Sequence, residues 1–104
     1  MRAFVDLQGA SGVSYRFRLA PDGVVSSPMA GNYACLREEQ EGFTVLSVEA
    51  TNDLSAATAD WRRVVAKHPA THLYTRLNVS VSVRESEQRD IAAYYELRHA
   101  RRTE

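Results

Sequence analysis

The chain has 104 residues, 44% of them hydrophobic and 25% charged, and its thirteen basic and thirteen acidic side chains give a formal net charge of zero. That length supports one domain with a modest core, and the zero balance excludes a surface that is basic throughout, leaving local cationic patches as the route to nucleic acid. No apolar run approaches the roughly 20 residues of a membrane span, the first residues show no signal-peptide block, and the single cysteine, Cys35, is expected in the core of a protein of the reducing cytoplasm.

Ala3, Val5 and Leu7 alternate with Arg2, Phe4, Asp6 and Gln8, the period of a strand. Gly9-Ala10-Ser11-Gly12 reads as a turn. Val13, Tyr15, Phe17 and Leu19 then alternate with Ser14, Arg16 and Arg18, so an antiparallel N-terminal hairpin is predicted. Arg16 and Arg18 project on one side of it, either as a solvated face or as a stripe that contacts phosphates. Pro21-Asp22-Gly23 is a turn in which Pro presets φ and Gly permits φ above zero. Residues 24–30 read as a loop. Gly31-Asn32-Tyr33 opens a second hairpin, which turns at the acidic stretch from Glu38 to Gly42 and returns from Phe43 to Thr51.

Thr51-Asn52-Asp53 offers cap-type side chains before a helix expected over about 53–67. Leu54, Ala57, Trp61, Val64, Val65 and His68 share its predicted inner face, with Arg62, Arg63 and Lys67 elsewhere, and Pro69 stops it. His68 reads as a helix-end residue that suits the macrodipole, and no His/Cys spacing reads as a zinc site. Thr71 to Asn78 is a further strand. Leu73 and Leu77 point one way, while His72, Tyr74, Arg76 and Asn78 form either a wet face or one wall of a groove. Ser80 is an N-cap for a helix over 81–98, in competition with a capping box at Ser82-Val83-Arg84-Glu85. Val83, Ile91 and Tyr94 or Tyr95 mark the expected apolar stripe of that helix. Glu87 falls in the middle of the stripe and Glu85 faces water. A carboxylate so placed must find a cation, a metal or several donors, or else take up a proton.

Gly31-Asn32-Tyr33 on a strand, a second strand and helix after it, and Glu87 four residues before Ile91 on the helix after the next strand together resemble the GIY-YIG nuclease superfamily over residues 31–95. The resemblance implies an α+β fold, a small and mainly antiparallel sheet with two main helices. Residues 1–30 would form a hairpin extension within a single domain of residues 1–104. It also implies Mg²⁺-dependent phosphodiester hydrolysis, with Tyr33 helping to activate water, an arginine neutralising the phosphate and Glu87 holding the metal. Ser47 and Glu49 stand where the family has its second tyrosine and its glycine. Ala57 stands where it has its arginine, and Arg76 on the neighbouring strand is the stand-in. Loss of such an arginine costs on the order of 10³-fold in related phosphoryl chemistry, and Glu49 would repel a phosphate. The expectation is a domain derived from a DNA endonuclease and weak or silent in catalysis, with Arg16, Arg18, Arg62 and Arg63 as its nucleic-acid contacts. The alternative is a non-catalytic protein-interaction or structural module on the same scaffold.

Overall fold

The computed structural model describes residues 2–97. The N-terminal alternation becomes β1 (Phe4–Gln8) and β2 (Ser14–Ala20), an antiparallel hairpin in register from Phe4↔Arg18 to Gln8↔Ser14. Pro21–Gly23 forms one 3-10 turn in which Asp22 (φ 57°) and Gly23 (φ 71°) take left-handed backbone, a region that Gly and Asp enter at low cost.

The second hairpin is longer than its acidic turn suggests. β3 (Gly31–Glu39) and β4 (Gly42–Thr51) leave only Gln40 and Glu41 at the turn, and the register shifts by a bulge between Cys35 and Leu36. β5 (His72–Leu77) inserts between β2 and β3, so all five strands form one antiparallel sheet in the order β1-β2-β5-β3-β4. The fold is therefore α+β, as expected, and the N-terminal hairpin continues the sheet rather than standing apart from it. Gly31 makes the β3–β5 junction possible. A Cβ there would lie 2.2 Å from the carbonyl oxygen of Arg76 and 2.9 Å from Leu54 Cδ1, so no side chain fits without moving backbone.

The first helix begins with a 3-10 turn, Leu54–Ala56, capped by the Asp53 carboxylate, which accepts from Ser55 N at 2.9 Å; it continues as α1 (Ala57–Lys67). α2 (Val81–Tyr94) starts at Ser80, whose Oγ accepts from Val83 N at 3.4 Å, so the earlier cap prevails over the Ser82 box. The helix was expected to reach residue 98, which lies outside the described residues, but it ends at Tyr94, and Glu96 takes a φ of 57°.

The helices lie on opposite faces of the sheet. Ile91 and Ala92 of α2 seal a core of Val5, Leu7, Tyr15, Phe17, Ala34, Leu36, Val45, Val48 and Tyr74. Leu54 and Ala57, with Trp61 and Val64, cover Ala20, Tyr33, Cys35 and Leu73 on the other side. Four expectations change. Val65 and His68 are exposed, because the buried face of α1 is only as wide as its contact with β3 and β5. Tyr74 is fully buried rather than wet. Leu77 shares its face with Leu73 yet is 64% exposed, since α1 does not reach that end of β5. Val83 is exposed, and α2 instead turns Arg84, Ile91 and Ala92 inward. No helix among the described residues is long and apolar enough to cross a membrane.

Candidate functional site

Strand alternation decides which of the expected site residues can meet. Tyr33 lies opposite Glu49 and Thr75 in the ladder, whereas its neighbour Asn32 lies opposite Ala50 and Arg76. Directly opposed residues share a face, so Tyr33 belongs to the α1 side and Arg76 to the α2 side. Glu87, on α2, is brought to Arg76 and kept from Tyr33. The three residues that the resemblance brings to one phosphate are thus separated by the sheet.

On the α2 side a polar layer replaces the apolar seam that the periodicity of α2 suggests. Arg76 Nε and Asn78 Nδ2 each donate to Glu87 Oε1 at 2.9 Å. Asn78 Nδ2 also lies 2.9 Å from Asn32 Oδ1, and Asn32 Nδ2 donates to the carbonyls of Arg84 (2.9 Å) and Glu49 (3.2 Å). The second nitrogen of Arg76 reaches the carbonyl of Arg16 at 3.3 Å, and its guanidinium sits 5.4 Å above the Tyr15 ring. Asn32 is fully buried and every polar atom of its amide is used. This layer fastens α2 to β3 and β5 through polar groups that satisfy one another.

Mg²⁺ does not fit this arrangement. Magnesium asks for several oxygen ligands in octahedral geometry, while Glu87 Oε1 is occupied by two donors and a guanidinium already neutralises the carboxylate. Among the described residues no group of three or more His, Cys, Asp or Glu side chains could hold a metal ion.

On the α1 side the Tyr33 hydroxyl donates to Asp60 Oδ2 at 2.6 Å, and Arg63 donates to Asp60 Oδ1 at 3.0 Å. Burial, then the Asp60 contact, pushes the Tyr33 phenol well above its ordinary value, so it stays protonated and cannot serve as a base near neutrality. Burial likewise pushes the Cys35 thiol up to about 11, which makes it a core residue and not a nucleophile. Beside this pair a cleft of about 410 Å³ runs between β4 and α1, lined by Ser47, Glu49, Asp60, Arg63, Lys67 and His68 among others. Its lining holds both acids and bases, and Arg63 is already engaged by Asp60.

Arg16 and Arg18 lie on the outer face of β2, on the α1 side of the sheet but beyond the reach of the helix. Their guanidiniums stand 5.6 and 5.7 Å from the centroid of the Phe4 ring, which remains 45% exposed. Arg62 and Arg63 are exposed on α1, away from this stripe in the case of Arg63, which faces the β4 cleft. The four arginines expected to contact nucleic acid therefore do not form one surface. Asn32, Asp60 and Phe4 were not singled out as site residues by the sequence, whereas Asn78 stands with Arg76 on the expected wall of a groove. Asn32 could have been, as a lone amide inside an apolar strand, where it must find partners. No protein-family model, curated protein or solved structure matches the chain.

Proposed function

We propose that this chain is a GIY-YIG-like domain that no longer hydrolyses phosphodiesters and retains nucleic acid as its ligand, working in the reducing cytoplasm. The chain order from Gly31 onward, hairpin, helix, strand, helix, agrees with that scaffold. The observation that carries the non-catalytic part is the Arg76–Glu87 pair: hydrolysis needs the metal carboxylate, the arginine and the water-activating tyrosine around one phosphate, and here the carboxylate and arginine neutralise each other across the sheet from Tyr33. Exposed cations at Arg16, Arg18 and Arg62 support the binding part.

Plasmid DNA incubated with the purified chain and Mg²⁺ or Mn²⁺ is expected to remain supercoiled, while labelled oligonucleotides are retarded in a gel. Turnover abolished by Glu87→Gln would overturn the non-catalytic reading, and absence of any retardation would overturn the nucleic-acid reading.

A second reading, a protein-interaction module, is favoured by exposed apolar side chains from the end of β5 to the first turn of α2: Leu77 (64%), Val79 (69%), Val81 (55%) and Val83 (44%). It predicts that Val79→Asp with Val81→Asp abolishes capture of a protein partner while leaving the fold intact.

A further inference from the structure

The sheet has one large surface that neither helix covers, the outer side of β1, β2 and the end of β5. A shallow groove of about 330 Å³ opens there, lined by Phe4, Arg16, Arg18, Thr75, Arg76 and Leu77. Its chemistry is uneven in an informative way. Arg16 is held by Asp6 through two hydrogen bonds, Nε to Oδ1 at 2.9 Å and a terminal nitrogen to Oδ2 at 3.2 Å. Arg18 lies across from Phe4 in the ladder and over its ring, and among the described residues it has no carboxylate partner. The groove thus carries a cation in surplus, positioned by an aromatic ring.

Resting on the nucleic-acid reading above, we infer that the ligand is single-stranded and lies across this face, with Arg18 taking a phosphate and the Phe4–Leu77 platform taking bases. A guanidinium stacked on a ring keeps its N–H edge pointing outward, where it meets phosphate oxygens in a planar fork. Stacking also fixes the rotamer before binding, which lowers the ordering cost. Phe4 and Leu77, 45% and 64% exposed, flank the arginines with apolar surface on which unpaired bases stack without regard to sequence. A duplex is disfavoured by shape. Reading its major groove takes a projecting helix or two-stranded ribbon, and this surface is the flat side of a sheet about 10 Å across three strands. Single strands offer exposed base faces that such a platform can use.

The inference fixes a salt dependence. Each neutralised phosphate of a single strand contributes about −0.7 to the slope of log affinity against log salt, so the contact from Arg18, the one unpaired guanidinium of the groove among the described residues, gives about −0.7, with Arg16 already neutralised by Asp6. The test uses the full chain and fluorescence anisotropy with a fluorescein-labelled oligothymidylate of about twelve nucleotides. Arg18→Gln is expected to weaken binding roughly tenfold and bring the slope close to zero. Phe4→Ala should weaken binding by at least about fivefold with little change in slope. Arg63→Gln, in the β4 cleft, should leave both unchanged. Phe4 and Arg18 are exposed, and matching thermal melts establish that their variants fold. If the oligonucleotide binds the parent but neither Phe4→Ala nor Arg18→Gln alters affinity, this face is not the site and the nucleic-acid reading survives. Tighter binding of the corresponding duplex, or equal competition by oligoglutamate, overturns the single-strand assignment. No binding of any oligonucleotide overturns both.

Discussion

The Tyr33 hydroxyl and the Arg63 guanidinium take one oxygen each of the Asp60 carboxylate, at 2.6 and 3.0 Å. Removing the hydroxyl by Tyr33→Phe leaves the carboxylate with Arg63 and water, and a part-buried hydrogen bond of this kind is worth about 1 kcal/mol. Its pH dependence is more telling than its size. Burial raises the folded-state pKa of Tyr33, so the folded protein holds the proton where the unfolded chain releases it. That contribution is complete below the unfolded value near 10 and is lost as pH rises toward the folded value. Tyr15 and Tyr74 are shifted upward for the same first reason, burial, and act in the same direction. The parent should therefore lose stability in denaturant titrations above about pH 10, and Tyr33→Phe should show a shallower alkaline decline. Equal slopes in the two proteins would mean that Tyr33 is not protected by the fold. Gly31 makes a separate residue-scale prediction. Gly31→Ala sets a methyl 2.2 Å from the Arg76 carbonyl oxygen, and overpacking against backbone should destabilise by about 2–3 kcal/mol, read from the shift of a denaturation midpoint. The Gly-x-Tyr signature that suggests a nuclease thus rests, at both ends, on demands of packing.

At the scale of elements, strands and caps were legible in the sequence and the inward face of α2 was not. Alternation at Val5-Leu7 and Tyr15-Phe17, the Ser80 cap and the Pro69 stop are local signals, and each is where periodicity and turn chemistry place it. The phase of α2 is set by what lies beneath it. Hydrophobicity alone aligns Val83 with Ile91, but the sheet presents Asn32, Arg76 and Asn78 under the first turns, so Arg84, Glu87 and Gln88 turn inward with Ile91 and Ala92. Those partners come from positions 32, 76 and 78, and no window on the helix contains them. Gln88 extends the pattern by donating to the Val48 carbonyl at 3.1 Å on β4, which blunts an exposed sheet edge. The site failed to assemble for the same reason, because facing across a sheet depends on register rather than on spacing along the chain. Glu87→Gln tests the layer. It leaves Arg76 without its counter-charge, but the side chains are 17% and 28% exposed, so the loss should be about 1–2 kcal/mol, short of the 3–5 kcal/mol of a fully buried pair. Urea unfolding at pH 7 with an unchanged m-value is the measurement. A neutral or stabilised variant would show that the carboxylate is not needed to compensate Arg76.

The whole molecule is one sheet with a helix on each face, and the N-terminal hairpin decides whether the sheet can close its core. Val5, Leu7, Tyr15 and Phe17 are between 0% and 8% exposed and supply one flank of the core beneath α2. Two further ties bind the hairpin to that helix. The Asp90 carboxylate accepts from Ser11 N (2.9 Å), Ser11 Oγ (2.6 Å) and the Tyr15 hydroxyl (2.7 Å), and the Tyr95 hydroxyl accepts from Gln8 N at 3.1 Å. Hydrogen bonds from Ser11 and Tyr15 hold the Asp90 carboxyl below its ordinary value, so this clasp is intact at neutral pH and weakens only as acid titrates through the lowered value. Burying a large apolar side chain is worth about 1.5–3 kcal/mol, so these four contribute at least about 6 kcal/mol, comparable with the roughly 5–15 kcal/mol by which whole domains are stable. Deletion also leaves β5 with one unpaired edge and Tyr74 and Ile91 facing water. A chain beginning at residue 31 is therefore expected to lack a cooperative thermal transition and near-ultraviolet circular dichroism, although it keeps every residue that carries the nuclease resemblance. A fragment that melts cooperatively within a few degrees of the full chain would instead make the hairpin an appendage, and would require that β3, β4 and β5 close a core with the two helices alone.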